Sequence, residues 1–170
     1  MKKLILNITI ANMKKVIVMA LLCIFGAVSH NANAQNLAWA KQMVRTGGTG
    51  GARCESVAVD AAGNVYTTGM FDGGTVDFDP GPGTYNLTAN SGADVFVSKL
   101  DASGNFLWAK QMAGRYGASA SSIAVDAGGN VYTTGDITSS GYNNTVDFDP
   151  GPGTYELSVV FSFFSKLDAS

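Results

Sequence analysis

Apolar and polar positions alternate along this chain in short runs, and none of the runs carries helical spacing. Val57 and Val59 alternate with Ala58, and residues 64–71 are rich in Val, Tyr and Thr. Across Asp94–Leu100, Phe96, Ser98 and Leu100 alternate with Val95, Val97 and Lys99. Residues 105–112 place Phe106, Trp108 and Met112 on one face. Each run has the length of a strand, so the pattern predicts strands throughout.

The runs recur. Thr75-Val-Asp-Phe-Asp-Pro-Gly-Pro-Gly-Thr-Tyr85 returns without substitution at residues 145–155. Trp39 to Met43 returns as Trp108 to Met112. Ser56-Val-Ala-Val-Asp60 returns as Ser122-Ile-Ala-Val-Asp126, and Asn64-Val-Tyr-Thr-Thr-Gly69 as Asn130-Val-Tyr-Thr-Thr-Gly135. Ser98-Lys-Leu-Asp-Ala-Ser103 returns at residues 165–170. The chain is therefore built from a repeated unit, with length differences confined to loops.

The turns follow a rule of their own. Asp60-Ala-Ala-Gly-Asn64, Asp101-Ala-Ser-Gly-Asn105 and Asp126-Ala-Gly-Gly-Asn130 share Asp-Ala-x-Gly-Asn. The Asp accepts backbone N–H groups two or more residues on, and Gly and Asn tolerate positive φ. This is hairpin chemistry, joining strand one to two and strand three to four. Within the repeated stretch, Val76 and Phe78 share one face and Asp77 and Asp79 the other. Pro80 closes the strand, Gly81 and Gly83 permit reversal, and residues 84–87 return. A unit is then four antiparallel strands with an inserted hairpin that projects from it. Strands apolar on both faces want neighbours on both sides, as propeller blades have. The expected class is all-β, a β-propeller-type repeat of two four-stranded blades, and an incomplete propeller.

Composition refines this. The 21 glycines and 14% charged residues fit turns and strands rather than disorder. Lys14-Lys15, an apolar run over residues 16–28 and Ala32-Asn33-Ala34 make a secretory signal peptide over residues 1–34, cleaved before Gln35, with translation starting at Met13. The run is too short for a membrane anchor. Leu22 before Cys23 argues against a lipoprotein. Export to the cell surface or medium is the expected localisation. Loss of Lys2, Lys3, Lys14 and Lys15 leaves seven basic against thirteen acidic residues, a net charge of −6. A nucleic acid is not the expected partner. His30 and Cys23 also leave, so residues 35–170 hold no histidine and one cysteine, Cys54. That removes Ser-His-Asp and Cys-His chemistry and His-bearing zinc sites. Cys54 reads as a half-buried thiol near a strand start.

With these residues on the page, residues 37–170 resemble the bacterial SBBP repeat family. The resemblance implies exported, multi-repeat propellers without shared catalytic residues. It assigns residues 35–106 to a first repeat with a leading strand over 37–43, and residues 107–170 to a second, truncated repeat. The second stops within a turn at Asp168-Ala169-Ser170. The expectation is a partial reading frame whose last blade lacks its fourth strand. Residues 37–43 are a spare copy of that strand. Exposed blade faces would self-associate.

Candidate chemistry is sparse. Asp77 and Asp79, and again Asp147 and Asp149, are oxygen-only candidates for Ca²⁺. An EF-hand pattern fails, because Gly81 and Thr88 stand where acids belong. Solvation of an exposed hairpin is the favoured reading. A paired-carboxylate glycosidase is disfavoured, since catalytic residues seldom recur in every unit. Trp39 and Trp108 read as packing rather than sugar-stacking residues. The expected function is a non-catalytic exported module that binds protein or glycan or serves a structural role, with no cofactor. The alternatives are a calcium-dependent adhesion module and a non-catalytic part of a larger secreted, glycoside-active enzyme.

Overall fold

The computed structural model describes residues 36–137, 145–158 and 161–169. The signal-peptide expectation lies outside these residues, as do Met13, Cys23, His30 and the cleavage site. So does the segment 138–144 between the repeats' equivalent strands. The described residues contain twelve strands and no helix.

The first four are β1 (Val44–Gly48), β2 (Ala52–Val59), β3 (Val65–Phe71) and β4 (Gly74–Asp77). Next come β5 (Asn86–Thr88), β6 (Asp94–Leu100), β7 (Phe106–Gly114) and β8 (Ala118–Val125). The last are β9 (Val131–Ile137), β10 (Thr145–Asp147), β11 (Glu156–Ser158) and β12 (Ser162–Leu167).

These strands form three antiparallel sheets, none closed. Their orders are β1-β4-β5, β11-β10-β7-β6-β3-β2 and β12-β9-β8. The expected meander of repeat one is present as β2-β3-β6-β7. It sits inside a six-stranded sheet rather than standing alone, because β7 is longer than a blade strand needs. Val95 to Lys99 of β6 pair with Met112 to Trp108 of β7. Beyond them, Ala113 and Gly114 pair with Asp147 and Val146 of the next repeat's hairpin. In the same way β1 pairs with β4 of the first hairpin. Each inserted hairpin is thus joined to the strand that precedes its own repeat. It does not project freely as the sequence suggested.

Two further expectations change. Residues 36–43 form no strand, and regular pairing begins at Val44. Phe106 does not share a face with Trp108 and Met112. The β6–β7 register shifts so that Leu100 faces Phe106 while Lys99 faces Trp108. That extra residue on β7 is a β-bulge, and it turns Phe106 to the opposite face.

Two apolar clusters follow from the strand faces. Tyr66, Val95, Val97 and Met112 of repeat one pack against Ala118, Ala120, Ile123, Val131 and Phe163 of repeat two. On the other face of repeat one, Phe71, Phe96 and Ala109 pack against Val76 and Phe78 of its own hairpin. Phe78 meets Phe71 edge-on at 5.4 Å and Phe96 at 5.0 Å. Burying each such side chain contributes about 1.5–3 kcal/mol.

The Asp-Ala-x-Gly-Asn turns form as predicted. Asp60 Oδ1 accepts from the N–H groups of Ala62 and Asn64, both at 2.9 Å, and Oδ2 from Asn64 Nδ2 at 2.8 Å. Asp101 and Asp126 repeat the arrangement. Only the glycine takes positive φ, +83° at Gly63, +78° at Gly104 and +83° at Gly129. The Asn stays at negative φ and serves as the donor instead. These hydrogen bonds favour the charged carboxylate and hold it below the usual range. The largest contribution is the Asn64 side chain for Asp60, the Asn105 backbone for Asp101 and the Asn130 side chain for Asp126.

Candidate functional site

The repeated stretch builds the same loop twice. In repeat one, Thr75, Val76 and Asp77 pair with Thr88, Leu87 and Asn86. Phe78 N–H donates to the Tyr85 carbonyl at 2.9 Å and closes the loop. Asp77 Oδ1 accepts from the N–H groups of Asp79 at 3.0 Å and Tyr85 at 2.8 Å. Asp79 Oδ1 accepts from Gly81 N–H at 2.7 Å. A Cβ on Gly83 would lie 2.2 Å from Asp79 Oδ2, so a larger residue there would push the Asp79 carboxylate out of its place. In repeat two, Asp147 and Asp149 make the same hydrogen bonds at the same distances.

The four carboxylates singled out in the sequence are therefore loop fasteners. Within each pair the Oδ1 atoms are turned onto the loop's own backbone, rather than converging on a shared point. The described residues contain no group of three or more His, Cys, Asp or Glu placed to hold a metal ion.

The fastened loop holds its tip rigid and open. Phe78 is buried beneath it, while residues 81–86 and 151–156 are exposed. Tyr85 lies on Phe106 with ring centroids 4.9 Å apart. Tyr155 is 64% exposed. The two hairpins flank β7 and form a shallow polar cleft. Tyr85, Leu87 and Thr88 line one wall, Lys110 and Gln111 the floor, and Asp149 and Pro150 the other wall. Aromatic, prolyl and carboxylate groups on a rigid frame are suited to hydrogen-bonding and stacking recognition.

The tryptophans do pack. Trp108 meets Tyr66 edge-on at 6.1 Å. Trp39 Nε1 donates to the Ala102 carbonyl at 3.2 Å. Cys54 is exposed on β2, with its thiol partly desolvated in an apolar cleft beside Met43 and Val57. Burial and then the Glu55 charge push its pKa up.

One functional-looking group escaped the sequence reading. Asp94 is fully buried at the start of β6. Its Oδ2 accepts from Asn90 N–H at 2.9 Å and Gln111 Nε2 at 2.6 Å, and its Oδ1 from Gly114 N–H at 2.7 Å. Burial pushes its pKa up, and these three hydrogen bonds partly oppose that. It ties the β5–β6 loop to β7. Phe161 stands at its place in repeat two, so the repeat gave no signal for it.

Comparison with known proteins adds two likenesses and one correction. A family model described as sperm-tail PG-rich repeat matches residues 79–111, which begin on the Pro-Gly-Pro-Gly loop and end in β7. An uncharacterized WD repeat-containing protein of Acanthamoeba polyphaga mimivirus is 37% identical over 95 residues. That alignment covers 54% of this chain and 7% of the viral protein, so the chain spans a small part of its relative's length. No solved structure matches. The SBBP resemblance is corrected by these findings, since neither match is a bacterial SBBP repeat. The short Gly-, Asp- and Val-rich motifs that carried it belong to turn and strand chemistry that unrelated repeats share.

Proposed function

We propose that the chain is a non-catalytic, exported repeat module of β-propeller type. Its row of Pro-Gly-Pro-Gly-Thr-Tyr hairpins binds a protein or glycan. The observation that carries this reading is the duplicated loop. The same rigid tip, with an exposed tyrosine, is set twice along β7. Residues of the loop that face solvent, Pro82 and Thr84, recur in repeat two although no core packing demands them.

The blade assignment has separate support. The β2-β3-β6-β7 meander stacks face to face on β8-β9-β12, as blades do. WD repeats, named in the viral relative, build propeller blades of this kind. Each blade would then be four-stranded with an inserted hairpin, repeat two showing three of its blade strands among the described residues.

The test is binding to glycan and extracellular-protein arrays by the 170-residue chain and by its Tyr85→Ala/Tyr155→Ala variant, in calcium and in EDTA. The reading expects a ligand retained in EDTA and lost by at least tenfold in affinity in the variant. Binding indifferent to both tyrosines sinks the hairpin assignment, and binding that needs calcium reinstates Asp77 and Asp79 as ligands. Export is checked by terminal sequencing of the secreted product, expected to begin at Gln35.

A further inference from the structure

Two surfaces of this molecule are the two halves of an interface it already contains. Repeat two presents Ile123, Val131 and Phe163 to repeat one, which answers with Tyr66, Val97 and Met112. By the repeat register, Val57, Val65 and Phe96 of repeat one stand where Ile123, Val131 and Phe163 stand. Tyr132 and Phe164 of repeat two stand where Tyr66 and Val97 stand. Yet Val57 is 61% exposed against 8% for Ile123, and Phe164 is 84% exposed against 0% for Val97. The outer face of repeat one and the outer face of repeat two therefore match each other in the way that the inner faces already do.

The backbone edges match as well. Among the described residues β12 is an edge strand. Its equivalent, β6, carries β7 on that side. Beside β12 lies a cleft of about 370 Å³, bordered by Tyr155, Leu157, Phe164 and Leu167. In repeat one the equivalent space is filled by β7, whose Phe106 lies on Tyr85.

A strand with the right sequence is already positioned at the opposite end of the molecule. Residues 39–43 read Trp-Ala-Lys-Gln-Met, identical to residues 108–112 of β7. They pair with no strand. Trp39, Lys41 and Met43 lie against Cys54, Val65 and Ser98 on the outer face of repeat one. Trp108 and Met112 relate to repeat two in the same way, with Ser165 Oγ 3.8 Å from Met112 Sδ. Among the described residues, 39–43 thus hold the place of a fourth strand with no other strand of its blade beside it.

We infer that a second copy of this chain supplies those three strands. Its β8-β9-β12 sheet seats Tyr132 and Phe164 on Val57 and Val65 of the first copy. Its β12 pairs antiparallel with residues 39–43. The β6–β7 register carries over to set Ser162 opposite Met43, Phe164 opposite Lys41 and Ser165 opposite Ala40. The contact is head to tail, so it leaves one face and one edge free at each end. Such an interface either closes a ring or runs on as a fibre. The inference rests on the blade reading but not on the hairpins binding a ligand.

The experiment is light scattering of the 170-residue chain after size exclusion, with two single variants, Val57→Asp and Phe164→Lys, the lysine setting a like charge against Lys41. Both positions are exposed, and circular dichroism checks that each variant folds. The wild-type chain is expected to run as two or more copies. Each variant alone, with one half of the interface charged, is expected to run as one copy. An equimolar mixture is expected to run as two copies and no more, because each variant retains the half that the other lacks. A folded wild-type chain that stays single at every concentration overturns the inference, and so does a mixture that stays single. It leaves the hairpin assignment standing, which only the tyrosine variants test. Should either variant fail to fold, chains carrying Lys41→Cys and Phe164→Cys in a Cys23→Ala/Cys54→Ala background are mixed and oxidised. A disulfide between the two populations supports the pairing, and its absence refutes it.

Discussion

Tyr66 and Tyr132 are the same residue in two copies of one sequence, Asn-Val-Tyr-Thr-Thr-Gly, yet they live in different surroundings. Both hydroxyls reach the turn carboxylate at 3.1 Å, Asp60 in one case and Asp126 in the other. Both strands pair in the same register with their neighbours. Tyr66 is sealed between two sheets, while Tyr132 is 41% exposed. The difference therefore lies in what is stacked on each strand. Local chemistry sets the turn, the strand and the register of each repeat. Burial is set by the neighbour, as expected for arrays stabilised by nearest-neighbour interfaces.

The comparison can be broken most forcefully with charge. Val97→Asp buries a carboxylate between the two sheets, with Lys110 across the strand as its nearest cation, and is expected to lower stability by about 3 kcal/mol or more. Phe164→Asp, at the equivalent position, is expected to leave the monomer's melting temperature nearly unchanged. Equal loss in both would mean that repeat two is packed on both faces. A gentler version trims methyl groups. In the Phe164→Lys background, which keeps the chain single, Ile123→Ala should cost about 2–5 kcal/mol in urea unfolding and Val57→Ala within about 0.5. Convergence of the two values would remove the asymmetry.

Asp94 sharpens the comparison differently, because only repeat one has it. Asn at that position has one oxygen for the three N–H donors that converge there. Asp94→Asn is expected to destabilise by about 1–3 kcal/mol, read by denaturant unfolding. Its raised pKa also gives it an opposite pH signature. Protonation is easier in the folded state, so its contribution to stability falls as pH rises from the ordinary carboxylate value through the raised one.

The smallest effect belongs to the turns, and here the repeats should agree. Asp60, Asp101 and Asp126 have lowered pKa values. Each contributes stability that is present above the unfolded carboxylate value and is lost as pH falls through the lowered one. Asp60→Asn and Asp126→Asn should flatten the acid limb of a stability-versus-pH curve to a similar, small extent. A marked difference between them would show that the turns sense the stacking after all.

The pattern of what was readable follows from the same physics. The Asp-Ala-x-Gly-Asn turns were legible because every donor and acceptor lies within five residues. The hairpin loop was legible as a reversal, and its Asp residues as turn chemistry, for the same reason. Alternation revealed that strands had two apolar faces, but it carries no information about which face finds a partner. The bulge at Leu107 sent Phe106 to the far face, because an extra residue in one strand resets the period without leaving a trace in composition. The double role of β7 was hidden too, since Ala113 and Gly114 have no side-chain pattern to advertise a second pairing. Asp94 reads as a polar strand start until Gln111 and Gly114 are seen to close around it.

Two copies of one unit differ in burial only through what stacks on them. That dependence is read most directly by methyl NMR of the folded Phe164→Lys chain with a soluble paramagnetic probe. The methyl signals of Val57 and Val59 are predicted to be strongly attenuated, while those of Ile123 and Val131 persist. Equal attenuation of all four would contradict the claim by showing that the two sheets are not stacked, and equal protection would contradict it by showing that the outer face of repeat one is covered within the chain.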